Sequence, residues 1–331
     1  MRMFEGNAKK EISNNNWIKE RIEEVSDLVP RNQVEIVTDT TEFMNIHRGQ
    51  VLRLEGRHFL VTGNIYESRF GMSDEPKYWV KKAIDLEDNS KKIIKLVYDE
   101  VFQVHVGPLK IRCYRTQHKE SQVLELVRGH PSFMQGRAVF DQMGNEVRIL
   151  DYIRGKSLLH RIFEMNISHE EYFFTLFPRI FKKLRNCFEA IQLIHNHGLC
   201  HGDIRNDHIM IETDTENYRW IDFDLTQDFS DYDIWSVGNV LQFCTGMGMR
   251  TFHDVLKSSL FPTRVKENLD TSDASAFYVH RIMNLQKLFP YIPDKLNAIL
   301  LHFTVNTRNF YESVAQIVAD MDNALDALPV T

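Results

Sequence analysis

Two carboxylates, Asp203 and Asp222, each stand beside a short apolar run in the stretch 200–241. The first lies in Cys200-His201-Gly202-Asp203-Ile204-Arg205-Asn206-Asp207-His208-Ile209-Met210-Ile211, the second in Trp220-Ile221-Asp222-Phe223-Asp224. Between them, His208-Ile209-Met210-Ile211 and Tyr218-Arg219-Trp220-Ile221 flank the polar turn Thr213-Asp214-Thr215-Glu216-Asn217, which predicts a hairpin. A hairpin folds its ends together, so both acids are expected to face one small volume. That arrangement suits one acid that accepts a proton or orients a nucleophile and one that holds a divalent metal. A third block, Asp231-Tyr232-Asp233-Ile234-Trp235-Ser236-Val237-Gly238, follows almost at once.

The elements that must position these acids can be read outward. With 331 residues the chain has room for one large or two modest domains and a sizeable core. Apolar residues at 43% and charged residues at 26% are the mix of an ordinary soluble globular protein. The net charge of −6 shows no nucleic-acid signature, and no apolar run is long enough for a membrane span, so neither partner is expected. Four scattered cysteines form no disulfide framework and Met1-Arg2-Met3-Phe4-Glu5-Gly6-Asn7 lacks a signal-peptide core, which together predict a cytoplasmic, reducing location. An asparagine at or before Asn16 is expected to cap a helix with Ile18, Ile22, Val25 and Leu28 on one face, ended by Pro30. Both a helix packed on its own domain and a partner helix fit that pattern.

From about 47 to 150 the pattern is that of strands, at Val51-Leu52-Arg53-Leu54, His58-Phe59-Leu60-Val61, Tyr78 to Asp85, Lys92 to Tyr98 and around the turn Met143-Gly144-Asn145. A helix is predicted over His118 to Val127, with Val123, Leu126 and Val127 as its apolar stripe. Beyond 152 the chain turns helical. Ile180, Leu184, Phe188, Ile191 and Ile194 mark one face of an interior helix that ends at Gly198. His195, His197, Cys200 and His201 fit no well-formed zinc spacing.

At its central motifs the chain resembles the protein kinase superfamily. His201-Gly202-Asp203 is similar to the start of the kinase catalytic loop, Asp222-Phe223-Asp224 to the metal-binding Asp-Phe-Gly segment, and Asp233 to Gly238 to the opening of the buried helix of the kinase C-lobe. The resemblance covers roughly 47–327. It implies an α+β, bilobal kinase-like fold: a small antiparallel β-sheet N-lobe with one helix over 47–151, and a larger, mainly helical C-lobe over 152–331. Residues 1–46 are an N-terminal, partly helical extension. The resemblance further implies that Lys95 reaches the α- and β-phosphates of ATP and that Glu120, rather than Glu125, pairs with it. On the same resemblance, Gly63 and Gly71 would bound the phosphate-covering loop. Leu150 would lie at the back of the adenine pocket, Asp151 and Ile153 would hold adenine through their main chain, and Met210 would lie under it. Asp203 would orient the acceptor hydroxyl, Arg205 would lie near the transferring phosphate, and Asp222 would be the main Mg²⁺ or Mn²⁺ ligand. Asp233 would hold the catalytic-loop backbone from below, and His201 would be a buried histidine beneath Phe223.

Departures from the family pattern accompany these matches. His208 stands where the family has the asparagine that binds a second metal, which favours a single-metal site or one that prefers manganese. Ile93 replaces a small residue above the adenine, and the loop from Gly63 to Gly71 has glycine only at its ends. From Asp224 to Asp231 only seven positions elapse, leaving no room for a long activation loop, and Gly202 replaces the arginine that grips such a loop's phosphate. The expected function is ATP-dependent phosphoryl transfer to a hydroxyl of an unidentified protein or small-molecule acceptor, on the pattern of a Ser/Thr protein kinase. The alternatives are an inactive pseudokinase serving as a binding or scaffold module, and a small-molecule kinase of the aminoglycoside or choline kinase type.

Overall fold

The computed structural model describes residues 15–28, 33–67, 75–106 and 109–329. The chain forms two units, one drawn from Met1–Asp99, Thr116–Arg128 and Gln135–Tyr152, the other from Glu100–Arg115, Gly129–Met134 and Ile153–Thr331.

The first unit is built on a sheet of seven strands in the order Ile36–Val37, Val51–Leu54, Arg57–Glu67, Glu75–Asp85, Lys91–Lys95, Glu146–Asp151 and Gly136–Phe140. All neighbours are antiparallel except the first pair. Strand alternation divides its apolar residues between two faces. Leu52, Leu54, Phe59, Val61, Ala83, Ile94, Val147 and Ile149 share one core. Val51 and Leu60, one residue out of phase, point the other way and are covered by Ile18 and Ile22 of helix 15–25. The N-terminal helix therefore packs on its own unit. Asn16 lies inside that helix rather than capping it. The helix ends at Val25, with the Ser26 N–H and hydroxyl both donating to the Ile22 carbonyl of its last turn, and Pro30 falls outside the described residues. The turn Glu55-Gly56, with φ of 47° and 80°, joins strands whose register runs Leu54 to Arg57, the two-residue turn that suits strand twist.

One expectation needs correcting here. Gly63 is a bulge residue within the strand Arg57–Glu67, with φ of 155°, and does not open a loop; pairing with the next strand continues to Glu67. Gly71 lies outside the described residues. The helix Gln117–Leu126 lies in the chain between the strands Lys91–Lys95 and Gly136–Phe140 and buries Glu120, Val123 and Leu124. Leu124 takes the interior position expected of Leu126.

In the second unit the helix Phe177–His195 buries Ile180, Leu184, Phe188, Ile191 and Ile194 along the predicted face. It packs against Val314–Leu325, with Arg185 bonded to Asp322 at 2.8 Å. The helix Tyr232–Thr245 is buried on nearly every side. Gly238 lets it approach Phe303, whose ring lies 2.6 Å from where a Cβ would stand. A three-stranded sheet joins Gly155–Ser157, Ile209–Glu212 and Tyr218–Trp220, the last two forming the expected hairpin. Gly155 is required at that seam, since a Cβ there would sit 1.9 Å from the Ile211 carbonyl oxygen.

A further sheet in this unit was not expected. Strands Glu100–Val106 and Leu109–Arg115 pair as a hairpin, and the second of them pairs with Leu225–Gln227 directly after Asp224. The sequence signal was present: Val101, Phe102, Val104 and Val106 precede Gly107-Pro108, a turn dipeptide. Among the described residues, no helix is long and apolar enough to cross a membrane.

Candidate functional site

The loop carrying Asp203 is held from beneath by the helix Tyr232–Thr245. Asp233, in the first turn of that helix, accepts from the backbone N–H of His201 at 2.7 Å and of Gly202 at 2.8 Å, and it meets His195 Nε2 at 2.8 Å. Burial would push this carboxyl up. The His195 hydrogen bond, the electrostatic influence of the neighbouring His201 and His195 rings and the Gly202 N–H together bring it below its ordinary value. Asp233 is therefore an ionised structural anchor. Gly202 has φ of 83°, a left-handed conformation that glycine adopts without steric cost. His201 accepts from the Asp203 N–H at 3.3 Å and packs its ring against Phe223, centroid to centroid 4.4 Å.

His208, which is buried, is the centre of the acidic pair. Its Nδ1 donates to the Asp203 carbonyl oxygen at 2.7 Å and lies 3.6 Å from Asp203 Oδ2. Its Nε2 lies 3.6 Å from Asp222 Oδ2 and 2.9 Å from Arg205 Nη2. A carbonyl can only accept, so Nδ1 carries the hydrogen. Arg205 can only donate, so Nε2 presents its lone pair. A histidine whose other ring N–H is held by a backbone carbonyl is the usual arrangement at metal sites.

Arg205 is engaged within its own loop. Its Nη2 donates to Asp207 Oδ2 at 2.7 Å and its Nε to Asp207 Oδ1 at 3.1 Å, while Asp203 Oδ2 lies 3.9 Å away. Burial would raise the Asp207 carboxyl, but the Arg205 guanidinium bonded to it draws it below its ordinary value. Asp222 has φ of 70°, a left-handed position that aspartate tolerates better than most residues. Met210 is half-buried on its strand, in register with Ser157 and Arg219.

The residue after Phe223 brings in a group that the sequence did not single out. Asp224 Oδ1 is 2.6 Å from Arg115 Nη1, and both side chains are buried. Burial would lower the Arg115 guanidinium, but Asp224, Asp222 and Asp203 hold its pKa above the ordinary arginine value. Arg115 is thus a buried cation of this carboxylate cluster, although no sequence motif marked it.

In the first unit, Lys95 Nζ meets Glu120 Oε1 at 2.7 Å, and Arg148 Nε meets Glu120 Oε2 at 3.3 Å. All three side chains are buried, Glu120 fully. Glu125 points outward and pairs with Arg128. The strand supplying Lys95 pairs with the one supplying Leu150, Ile93 standing opposite Leu150. The Asp151 N–H already donates to the Gln135 carbonyl at 2.8 Å. Leu150 and Asp151 belong to the first unit and Ile153 to the second.

Part by part, the fold is protein kinase-like. One unit holds an antiparallel sheet and one helix joined by a Lys–Glu pair, and the other is mainly helical, with a loop, a hairpin and an anchoring helix in family order. No family model matches the chain. Among solved structures it is similar to the kinase domain of Mycobacterium tuberculosis PknI. One doubly substituted form is 10% identical over 82% of this chain and 96% of that one, with a TM-score of 0.49. Another is 10% identical over 80% and 95%, with a TM-score of 0.48. The unsubstituted domain is 11% identical over 82% and 96%, with a TM-score of 0.45.

Proposed function

We propose that this chain is an ATP-dependent phosphotransferase that moves the γ-phosphate to a hydroxyl group, using one divalent ion. The observation that carries the reading is His208, placed 3.6 Å from both Asp203 Oδ2 and Asp222 Oδ2 and held in the tautomer that offers Nε2. Phosphoryl transfer asks for positioning and cancellation of charge rather than covalent chemistry. Asp203 orients the acceptor hydroxyl and takes its proton. Lys95, aligned by Glu120, binds the α- and β-phosphates. Leu150 backs the adenine and Met210 lies beneath it. The Asp151 carbonyl and the Ile153 main chain hold its edge, the Asp151 N–H being committed to Gln135. The sheet unit serves as the nucleotide lobe and the helical unit as the acceptor lobe.

The donors fit a divalent ion. Asp222 and His208 would hold it, His208 Nε2 being released from Arg205 Nη2, which donates to it at 2.9 Å in this structure, and it would supply charge neutralisation at the phosphates. Among the described residues no group of three or more His, Cys, Asp and Glu side chains forms a ready cage, so phosphate oxygens and water complete the set. One oxygen and one imidazole nitrogen suit manganese better than magnesium. Gly63, being part of a strand, contributes to the phosphate cover only through the bulge that bends it.

A pseudokinase reading is favoured by a separate observation. Arg205, the cation expected at the transferring phosphate, is instead bound to Asp207 through two nitrogens. Turnover decides between the two. With Mn²⁺ and with Mg²⁺, the wild-type protein should hydrolyse or transfer the γ-phosphate, and Asp203→Ala should abolish this while nucleotide binding persists. Asp222→Asn, which retains tolerance of the left-handed backbone, should lose metal-dependent nucleotide binding. No nucleotide binding with either metal overturns the phosphotransferase reading, and turnover that is lost in Asp203→Ala overturns the scaffold reading.

A further inference from the structure

We propose that the hairpin 100–115 is a built-in clamp on the segment carrying Asp222, with Arg115 as its positioning residue. The proposal rests on the reading of Asp222 as a metal ligand.

The clamp acts at every residue from 224 to 228. Arg115 Nη1 binds Asp224 Oδ1 at 2.6 Å, and Arg115 Nε is steadied by Glu100 Oε2 at 3.5 Å across the hairpin. Leu225, Thr226 and Gln227 pair in register with Arg115, Tyr114 and Cys113. At the far end Asp228 Oδ1 accepts from the Arg112 N–H at 2.9 Å, and the Asp228 N–H donates to the Arg112 carbonyl at 3.2 Å. On its other side the segment reaches the Asp203 loop, where Gln227 Nε2 donates to the Gly202 carbonyl. The short stretch after Asp222 is thus a strand pinned between the hairpin and the loop that carries the other acid.

Asp222 needs such anchors. Its left-handed backbone, φ 70°, is a conformation that persists only where flanking structure imposes it, and the direction of its carboxylate follows from that backbone. Only seven positions separate Asp224 from Asp231, too few for a loop that could swing the segment in and out. Gly202 offers no cation to steady it. Arg115, entering from a different part of the chain, supplies both the charge and the strand partner. The consequence is a metal-binding segment held permanently in one conformation, with no switch to throw.

The test uses the full chain, with Mn²⁺ in the presence of a non-hydrolysable ATP analogue as the probe. Asp228→Ala loosens the exposed end of the clamp. Arg115→Gln with Asp224→Asn replaces the buried ion pair by neutral groups of similar size, and Arg115→Lys keeps the charge. The readouts are Mn²⁺ affinity by titration calorimetry, amide exchange of residues 225–228 by mass spectrometry, and melting temperature. In the wild type, exchange at 225–227 should be as slow as in the hairpin 209–220. Asp228→Ala and the double variant should speed it by about tenfold or more and weaken Mn²⁺ binding by about three- to tenfold, with exchange elsewhere unchanged. Arg115→Lys should recover most of the Mn²⁺ affinity. Rapid exchange at 225–227 in the wild type, or faster exchange in the variants with Mn²⁺ affinity unaltered, overturns the proposal. If the wild type takes up no Mn²⁺, the metal reading of Asp222 falls, and the exchange rates alone then decide whether the clamp exists.

Discussion

Glu120 offers the sharpest energetic test of the sheet unit. Its fully buried carboxylate sits between two buried cations, Lys95 at 2.7 Å and Arg148 at 3.3 Å. Glu120→Gln preserves shape and opens no cavity, so its cost is electrostatic. The amide oxygen can accept from one cation, but the amide NH₂ then faces the other, and two buried positive charges lose the carboxylate they share. Removing one partner of a buried ion pair costs about 3–5 kcal/mol. Lys95→Met is different, because Glu120 keeps Arg148. Its cost includes the charge-assisted hydrogen bond to Glu120, about 1.5–3 kcal/mol, partly offset by the better burial of methionine. The expected order is therefore Glu120→Gln clearly worse than Lys95→Met, with the double variant short of the sum of the two. Urea unfolding of all four proteins at one pH and salt concentration measures it. If Glu120→Gln lies within about 1 kcal/mol of wild type, or if Lys95→Met costs as much, the carboxylate is not the shared counter-ion described here.

His208→Asn should shift divalent preference toward Mg²⁺, lowering the Mn²⁺-to-Mg²⁺ affinity ratio by about tenfold, because a carbonyl oxygen replaces an imidazole nitrogen; nucleotide-binding titrations with each metal check it. Lys81, buried and donating to the Ile46 carbonyl at 2.7 Å and Asn64 Oδ1 at 3.0 Å, is lowered by burial from 10.5 to about 8. Between those values the unfolded chain holds the proton and the folded chain does not, so stability rises with pH across the window and the burial penalty is complete below it. The fall amounts to about 3 kcal/mol. The stability difference between wild type and Lys81→Met should accordingly move in favour of wild type from pH 8 to 10; a flat difference refutes it. Gly238→Ala should destabilise by about 1–3 kcal/mol, since the new methyl meets the Phe303 ring inside a packed helix contact. A thermal melt measures that cost.

Much of the helical unit was legible because its signals are local. Apolar spacing in 179–195 marked a helix face, and two apolar runs around a polar turn marked the hairpin that separates Asp203 from Asp222. The choice of Glu120 over Glu125 came from the resemblance, and the structure gives it a geometric reason: helix periodicity turns one inward to Lys95 and the other out to Arg128. The phosphate-loop boundary at Gly63 was misread, because a glycine inside a strand and a glycine opening a loop look alike until the partner strand is known. Arg115 was invisible for a related reason. Its importance lies in a contact with Asp224, 109 positions away along the chain.

By itself the sequence determined the identity and order of the chemical groups: a strand lysine, a helix glutamate, two acids around a hairpin and a histidine in place of an asparagine. Such motifs are contiguous, so their meaning survives without coordinates. Only the tertiary structure decided what each group faces. It turned His208 so that Nε2 looks toward Asp222, tied Arg205 to Asp207, and brought a distant hairpin beside the Asp222 segment. Long-range pairing of that kind is set by the packing of whole elements, and no local pattern of residues encodes it.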